Sequence, residues 1–588
     1  MNILGLSAGY HDAAACLLRD GVLVAAVEEE RFSRHKHDAR MPVAAFRHCL
    51  AAAQLDLTEL DAIAFYETPA RKRERQIGSG IATDDPRLAD ADPARAIREV
   101  LGWEGPIYWA AHHQAHAASA FYASGYDSAA LLTADGVGEW ATQTYGIGDG
   151  ARLESIAQVD FPHSLGLFYS TLTAWLGFAV NDGEYKLMGL APFGEPRFQA
   201  ALRALIEIGA EGDFKLDLRY FDFVSGTRMF SEQLSDLLGA PPRVPGSPIT
   251  RLHQDVARST QAVLEEVLLE QVCWLHRRTG LDNLCFAGGV AQNVVANGRA
   301  LRESPFRRLY VPSAPGDAGG CIGAAALAHV ALTGERPRIG ADGAALRSAA
   351  FGPQYSIKAV ARLIAHSGLP AQDFRGDVAA LLAAVVDRLL AGQVIGWFHG
   401  PLEFGPRALG GRSLLADPRD PQMRDRLNRL VKQREGFRPF APSVLADTAA
   451  THFELDHDSP FMSETCAVRS PLALPAITHV DGSARPQTVD PVQSPRFAAL
   501  LAEFEGRTGC PLLVNTSFNL AGEPIVASPA DALSTFAATA IDVLVLEDFL
   551  LDRQCLPDAW AERVAAWRPA VAERDGDVGL RGTLYRFV

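Results

Sequence analysis

Several features that mark common protein classes are scarce in this sequence of 588 residues. Its eight cysteines form no C-x-x-C pair, which disfavours both a disulfide framework and a thiolate zinc site. We therefore expect the cysteines to be reduced core residues. Neither G-x-x-x-x-G-K-[ST] nor H-E-x-x-H occurs, which argues against a P-loop enzyme and a zincin-type protease.

Positively charged residues are outnumbered by negatively charged ones, and long apolar runs are absent from the sequence. The chain carries 55 Lys and Arg against 70 Asp and Glu, a net charge of −15, so its surface repels nucleic acid and anionic membranes. No uninterrupted apolar stretch reaches the roughly 18 to 20 residues of a membrane helix. The first residues also lack a basic segment of the kind that begins a signal peptide. We expect a cytoplasmic protein with neither a nucleic-acid partner nor a membrane partner.

What the sequence does contain is an ordinary globular composition, 48% hydrophobic and 21% charged, over a length that calls for at least two domains. The stretch Thr333–Ser356 is rich in Gly, Pro and Arg and lacks clear periodicity, which is typical of a domain boundary. We predict one domain over residues 1–345 and a second over 346–588.

A faint repeat indicates that the first domain is duplicated. The strand Asn2–Ser7 turns at a glycine and returns through Ala13–Leu18, and a similar unit joins Ala129–Ala134 to Thr142–Gly148. In such hairpin turns, backbone N–H groups can face phosphate oxygens from two sides. This arrangement is typical of actin-like nucleotide-binding folds.

The second domain begins as another α/β unit. A helix over Val378–Ala391 precedes the strand Val394–Phe398, and further strands are predicted at Pro511–Asn515 and Val543–Leu546. Ser528 followed by Pro529 has the pattern of a helix N-cap. The predicted fold class is therefore α/β throughout.

Four residues in the first domain could bind a metal ion. His112 and His116 are spaced i, i+4 on a predicted helix, which places both imidazoles on one face. Asp135 and Asp317 follow strands in glycine-flanked loops, where their carboxylates can add oxygen ligands. Two nitrogens and two oxygens suit divalent iron, manganese or zinc. Taken singly, the histidines fit core positions and the aspartates fit ordinary turns equally well.

Other residues of the first domain have patterns suited to nucleotide binding. Gly288, Gly289 and Asn293 lie in FAGGVAQN, between a predicted strand and a helix, where glycines allow close backbone approach. Gly136 lies in the second hairpin turn, and Lys186 in GEYKLMGLAP brings a cation to a flexible loop. Packing explains the glycines, and solvation the lysine, without any ligand.

A set of cations in the second domain could clamp phosphate groups. They lie in loops rich in Gly and Pro, and Ser517 in NTSFN adds a small polar donor. Surface charges paired with the many acidic residues are the alternative reading. The cations are Arg407, Lys432, Arg438 and Arg485.

One further pattern is set aside. Gly5 to Gly9 match G-x-S-x-G, but a nucleophile elbow needs a helix after the serine, and here a returning strand is predicted. Ser7 is therefore not favoured as a nucleophile.

Taken together, the motifs resemble those of the nodulation and antibiotic-type O-carbamoyltransferase family. Their order and spread cover nearly the whole chain. That family joins an actin-like domain, similar to the universal tRNA threonylcarbamoyl transferase, to a C-terminal YrdC-like domain. The motifs are SAGYHDAAACL, HHQAHAASAF, LLTADGVGEW, GEYKLMGLAP, FAGGVAQN, PSAPGDAGG, FGPRALGGRS, GFRPFAPSV, ARPQTV and NTSFN.

The resemblance implies a reaction in two stages. Carbamoyl phosphate and ATP, with Mg as a further expected ion, would form carbamoyl adenylate and pyrophosphate in the YrdC-like domain. There Lys432 and Arg438 match catalytic positions, and Arg407, Arg485 and Ser517 match positions that handle phosphate and nucleotide.

In the second stage the adenylate would reach the actin-like domain, and its carbamoyl group would pass to a hydroxyl of a small molecule, releasing AMP. His112, His116, Asp135 and Asp317 match the family's metal ligands, usually described as iron. His11 matches a histidine near the acceptor site and is the candidate general base, although a purely structural turn histidine fits equally well.

Two other functions fit parts of the sequence. A tRNA threonylcarbamoyl-modifying enzyme shares both parent domains, but the acidic balance argues against it. An actin-like nucleotide switch would leave the second domain unexplained. The sequence does not identify the acceptor. We expect a role in antibiotic biosynthesis and a homodimeric assembly. Residues 195–248 contain no recognised motif.

Overall fold

The computed structural model describes residues 1–81, 92–224, 228–340 and 343–565. These residues form two compact units. The first unit contains Met1–Glu29 and His37–Leu346, and the second contains Glu30–Lys36 and residues 347–565. Residues 566–588, which the sequence prediction assigned to the second domain, lie outside the described part of the chain.

The first sheet of the first unit has the strand order β3-β2-β1-β4-β5. Its first three strands form an antiparallel meander, and β4 and β5 continue the sheet in parallel. The predicted returning strand after Ser7 is confirmed, so there is no nucleophile elbow at that serine. The strands are β1 (Asn2–Ser7), β2 (Ala14–Arg19), β3 (Val22–Glu28), β4 (Ala62–Phe65) and β5 (Ile107–Trp109).

The second sheet repeats this arrangement with the order β12-β11-β6-β7-β8. Again an antiparallel meander is extended by two parallel strands, so the predicted duplication is confirmed at the level of strand order. A separate two-stranded hairpin pairs β9 with β10. The strands are β6 (Ser128–Ala134), β7 (Ala141–Asp149), β8 (Arg152–Asp160), β9 (Ile206–Ile208), β10 (Phe214–Leu216), β11 (Asn283–Ala287) and β12 (Arg308–Tyr310).

One helix of the first unit has a typical signal at each end. The longest, Arg251–Thr279, starts at a reciprocal cap between Thr250 and His253 and ends where Gly280 adopts a φ of 66°, a conformation that favours glycine. The other helices are Val43–Ala52, Pro69–Gly78, Pro93–Leu101, His112–Ser124, Leu165–Trp175, Glu184–Leu190, Gln199–Arg203, Glu232–Leu238, Val294–Glu303 and Asp317–Thr333.

The second unit is built around one eight-stranded sheet with the order β13-β22-β21-β14-β15-β20-β16-β19, and β17 and β18 form a separate antiparallel pair. Its core includes Trp397 and Phe504, which are fully buried. The strands are β13 (Gln372–Asp373), β14 (Ile395–Phe398), β15 (Arg412–Ala416), β16 (Ala441–Leu445), β17 (Cys466–Ala467), β18 (Ser483–Ala484), β19 (Gln487–Val489), β20 (Leu512–Ser517), β21 (Val543–Leu546) and β22 (Phe549–Asp552).

Three helices of the second unit pack on this sheet, namely Val378–Leu390, Pro495–Thr508 and Pro529–Ala538. The predicted N-cap at Ser528 is confirmed, because its hydroxyl and the carboxylate of Asp531 cap each other's backbone. The mixed α/β fold class is thereby confirmed for both units. The helices are Glu30–Ser33, Ile357–Ser367, Val378–Leu390, Met423–Arg426, Ala449–His452, Pro495–Thr508, Pro529–Ala538 and Trp560–Ala565.

Two expectations need correction. The prediction that every cysteine is a core residue is wrong for Cys555, which is exposed. The helix expected directly after FAGG begins later, because one 3-10 turn, Gly289–Gln292, precedes the helix Val294–Glu303. Asn293 provides the cap at which that helix starts.

Candidate metal centre and cation pocket

The four predicted metal ligands come together in the first unit. His112 and His116 lie one turn apart on the helix His112–Ser124, which we call the ligand helix. Asp135 follows β6, and Asp317 is the first residue of the helix Asp317–Thr333. All four are buried, and one ligand atom of each lies within 4.8 Å of the others.

Distances within this cluster show ligand atoms that face one another. The Nε2 atoms of His112 and His116 are 3.0 Å apart. His116 Nε2 lies 2.8 Å from Asp135 Oδ2 and 3.4 Å from Asp317 Oδ1. Within the described residues, the buried Asp135 Oδ2 has no hydrogen-bond donor of suitable geometry. Two imidazoles and two carboxylates arranged in this way fit a divalent cation.

Electrostatics in the cluster agree with that fit. The imidazoles of His112 and His116 hold the pKa of Asp135 well below its usual range, although burial alone would raise it. Burial disfavours the charged form of His116, but the nearby carboxylates of Asp135 and Asp317 outweigh burial and raise the pKa of His116 to about 9. The two carboxylates therefore favour positive charge in a buried place, which is also what a cation would require.

A close approach of two helices brings Asp317 to the histidines. A Cβ atom on Gly323 would lie 1.8 Å from the carbonyl oxygen of Ala115 in the ligand helix. Only glycine permits this separation, because any side chain would force the two helices apart. The run of small residues in DAGGCIGAAALA therefore sets the position of one carboxylate ligand.

His11 lies beside the cluster, as its predicted role requires. Its Nε2 is 3.8 Å from Asp317 Oδ2, and its Nδ1 is 2.9 Å from Asp12 Oδ2. Although burial opposes protonation, the carboxylates of Asp317 and Asp12 raise the pKa of His11 to about 9. Asp12 also accepts a 2.7 Å contact from His37, so the sequence prediction missed two residues that orient His11.

The predicted nucleotide-binding residues of the first unit have mixed surroundings. Gly289 lies against the metal cluster, since a Cβ there would be 2.8 Å from Asp135 Oδ1. Gly288 has a φ of 96° and packs on the end of β6. The N–H of Gly136 donates to Asp135 Oδ1 at 2.7 Å, so that turn supports the carboxylate ligand.

Two further candidates are engaged within the fold. Asn293 Oδ1 accepts from Ala296 N and from the side chain of Gln261, so its amide serves as a helix cap. Lys186 lies with its Nζ 5.8 Å from the centre of the Phe178 ring. Neither contact involves the metal cluster, and the predicted ligand roles of these residues stay predictions.

A small pocket adjoins the cluster at His112. The loop after β6 lines one side through Gly138, and the helix Pro69–Gly78 lines another through Lys72 and Arg75. Lys72 Nζ pairs with Glu67 at 2.9 Å, and Arg75 is only 1% exposed. Sequence reasoning did not identify these residues, and none of the residues that the structure describes between 195 and 248 lines this pocket.

The second unit gathers its cations around Lys432. This lysine ends a single π-helical turn, Leu427–Lys432, and is only 3% exposed. Its Nζ donates to the main-chain oxygens of Ser517 and Asn519 at 2.5 and 3.1 Å, and to their side-chain oxygens at 3.1 and 2.6 Å. Every one of these acceptors is neutral. Lys432 and Ser517, two of the residues predicted to handle phosphate, are therefore in direct contact.

Five cations of the second unit lie near enough for their charges to repel one another. We call this group the cation pocket (Arg407, Arg434, Lys432, Arg438 and Arg485). Burial, followed by the charges of Arg434 and Arg438, lowers the pKa of Lys432 well below its usual range. Burial, followed by the charge of Arg407, does the same to the pKa of Arg485. Because cations held together in this way repel each other, an anion placed among them would be stabilised.

The loop FGPRALGGRS is shaped by a different arginine. Arg412 is fully buried, donates to the carbonyl oxygens of Pro353 and Gly400, and lies over the ring of Phe398. Glu403 accepts from the backbone N–H groups of Leu409 and Gly411 in the same loop. These contacts fix the loop that carries Arg407.

No helix in the described part of the chain combines the length and the apolar character needed to cross a bilayer.

Comparison with known proteins covers both units. Residues 2–91 and 99–326 match the family model described as carbamoyltransferase N-terminus, and residues 386–553 match carbamoyltransferase C-terminus. A Synechocystis protein, sll1178, is 44% identical over 95% of this chain and 97% of its own length. Nodulation protein NolNO of Sinorhizobium fredii is 38% identical over 95% of this chain and 82% of its own length.

Solved structures give only distant matches. HypF of T. kodakarensis shares 17% identity, covers 59% of this chain and 50% of its own, and superimposes with a TM-score of 0.31. A similarity of that size adds nothing to the match of the family models.

Proposed function

This chain belongs to the carbamoyltransferase family and is a carbamoyltransferase enzyme, and from that membership we propose that it is an ATP-dependent O-carbamoyltransferase with a small-molecule acceptor. Carbamoyl phosphate and ATP give carbamoyl adenylate, whose carbamoyl group then passes to a hydroxyl of the acceptor with release of AMP. For the atoms to balance in the first stage, one water is consumed and pyrophosphate and phosphate are released.

The observation that carries the proposal is the buried Lys432, surrounded by cations and contacted by neutral oxygens. A pocket of this kind favours a polyanion, and pyrophosphate leaving from ATP is one. Lys432 and Arg438 stabilise the charge that develops as the bond to pyrophosphate breaks. Arg407, Arg485 and Ser517 hold the remaining phosphate oxygens. We assign this first stage to the second unit and take the unit to be YrdC-like.

The second stage takes place at the metal centre of the first unit, which we take to be actin-like. His112, His116, Asp135 and Asp317 would hold the ion, for which Fe(II) is the expected identity. When bound, a divalent ion supplies Lewis-acid stabilisation of carbonyl and phosphate oxygens. The four side chains are buried, which keeps bulk water away from a mixed anhydride.

His11 accepts the proton of the attacking hydroxyl at Nε2. Its Nδ1 is held by Asp12 at 2.9 Å, so the other ring nitrogen is the one available to the acceptor. A base must be neutral, and an ion held by the four side chains would offset the charge of Asp317 and so favour the neutral form of His11.

The test measures pyrophosphate and AMP release from purified enzyme given ATP, carbamoyl phosphate and ferrous iron, with a panel of hydroxyl acceptors. Lys432→Ala should lose pyrophosphate release, whereas His112→Ala should keep it. Both variants should lose the carbamoylated product. Wild-type enzyme that releases no pyrophosphate under any of these conditions would overturn the adenylate mechanism.

A further inference from the structure

One buried carboxylate contacts the backbone at the start of two helices beside the metal centre. Glu139 is 6% exposed. Its Oε1 accepts from the N–H of Thr68 at 2.7 Å and from the N–H of His112 at 3.0 Å, and its Oε2 lies 3.1 Å from the same His112 nitrogen. Thr68 precedes the helix Pro69–Gly78, and His112 is the first residue of the ligand helix.

Neither helix has a side-chain cap of its own. The ligand helix is preceded by Ala111, which has no polar side chain, and the hydroxyl of Thr68 does not cap the helix that follows it. The first N–H groups of a helix need acceptors, and the positive end of its dipole favours a carboxylate. Glu139 meets both needs from a separate loop.

That loop also carries a metal ligand. Asp135 and Glu139 lie on the turn between β6 and β7, which is closed by hydrogen bonds from Asp135 N to Thr142 O and from Gly138 N to Ala141 O, both 2.9 Å. The position of Glu139 is therefore fixed relative to Asp135. Through its bond to the His112 backbone, it also fixes where the ligand helix begins relative to that aspartate.

We infer that Glu139 is a positioning residue of the metal centre, which holds the two histidine ligands in register with Asp135. Groups that orient metal ligands without touching the ion commonly change metal affinity by about 10- to 100-fold when removed. The same carboxylate anchors the helix that carries Lys72 and Arg75. Its negative charge also stabilises the charged form of Arg75. This inference rests on the proposed function only in taking the four-residue cluster to bind a metal ion.

The experiment titrates Mn²⁺, a redox-stable probe, into metal-free full-length protein by calorimetry. Glu139→Ala should weaken Mn²⁺ binding by about 10- to 100-fold. Glu139→Gln should recover most of the affinity, to within about tenfold of wild type, because the oxygen at Oε1 alone can accept from both N–H groups. Pyrophosphate release should be unchanged in both variants, because that stage is assigned to the second unit.

A matched control separates positioning from general stability. Asp255 is fully buried in the first unit and accepts from the N–H of Glu195 at 2.8 Å, but it has no contact with the cluster. Asp255→Ala should lower the Tm and leave Mn²⁺ affinity unchanged. A folded Glu139→Ala that binds Mn²⁺ within about threefold of wild type would overturn the inference, as would equal weakening in Asp255→Ala.

Two further outcomes are decisive. Should Glu139→Ala not fold, Glu139→Asp takes its place, because its carboxylate is one methylene too short to reach both N–H groups. Its Mn²⁺ affinity should fall about tenfold, and an unchanged affinity overturns the inference. If wild-type protein binds no Mn²⁺ but still releases pyrophosphate, the result would contradict both the metal centre and the role of Glu139. It would not contradict the adenylate stage.

Discussion

Lys432 has an environment that is unfavourable for a lysine in the absence of a ligand. It is buried, its neighbours Arg434 and Arg438 are cations, and its hydrogen-bond acceptors are neutral. Such a site stabilises the charged lysine only when an anion is present. The bound anion, more than the surrounding protein, therefore determines whether Lys432 is protonated.

A pH dependence follows from this. The pKa of Lys432 in the free enzyme is lowered from its ordinary value of 10.5, and a bound anion raises it. At a pH between these two pKa values, Lys432 should therefore take up a proton when pyrophosphate binds. The affinity of the enzyme for pyrophosphate should then fall as the pH rises. Calorimetry in buffers of different ionisation enthalpy measures the proton uptake. Lys432→Met should bind weakly without uptake, and equal uptake in that variant would assign the proton to another group.

Sequence reasoning succeeded at single residues where the chemistry depends on side-chain type and local spacing. The i, i+4 histidines and the two loop aspartates were predicted as one cluster, and their ligand atoms do lie together. Glu139 was missed, although it lies within the quoted motif LLTADGVGEW. Its partners are backbone N–H groups of residues 27 and 71 positions away, which no local spacing reveals. Arg75 was missed for a similar reason, since its burial depends on the tertiary fold.

At the scale of elements, the contact between two helices positions a metal ligand. Gly323 allows the helix Asp317–Thr333 to approach Ala115 in the ligand helix. The helices and strands for which the sequence analysis gave bounds begin and end within three residues of the observed ones, because caps and alternating apolar patterns are local. It could not predict this crossing, which depends on which glycine faces which carbonyl group.

Gly323→Ala tests the crossing. The added Cβ would meet the Ala115 carbonyl oxygen at 1.8 Å, so the helices must separate, and we expect the free energy of unfolding to fall by about 1–3 kcal/mol. Thermal unfolding measures this, and Mn²⁺ affinity should fall with it because Asp317 moves. Leu332→Ala is the control on the same helix, at a side chain that is 58% exposed, and should change neither quantity. An unchanged Tm for Gly323→Ala would contradict the tight crossing.

At the scale of the whole molecule, the charge balance favours the proposed transfer to small molecules over tRNA modification. The net charge is −15, and binding of a polynucleotide needs a basic surface. We expect no tRNA binding at about 0.1 M salt, measured by fluorescence anisotropy. Salt-dependent binding at micromolar protein would favour the tRNA-modifying enzyme instead.

The predicted domain boundary can be set beside the compact units of the structure. The expected boundary near residue 345 lies next to the division after Leu346. The short segment Glu30–Lys36 was not assigned to the second unit, to which it belongs. Composition marks boundaries in the chain, but it cannot show that a segment near the start packs with residues near the end.

Arg34 makes that segment important for how the protein can be made. Its guanidinium donates to the carbonyl oxygens of Pro524 and Ile525, at 2.8 and 2.6 Å, across about 490 residues of chain. During translation these carbonyl groups emerge from the ribosome long after Arg34, so the second unit cannot be completed until nearly the whole chain has been made. A gene split at codon 346 would therefore place an integral part of the second unit on the wrong polypeptide. Such a split should succeed only if residues 30–36 are restored to the downstream product.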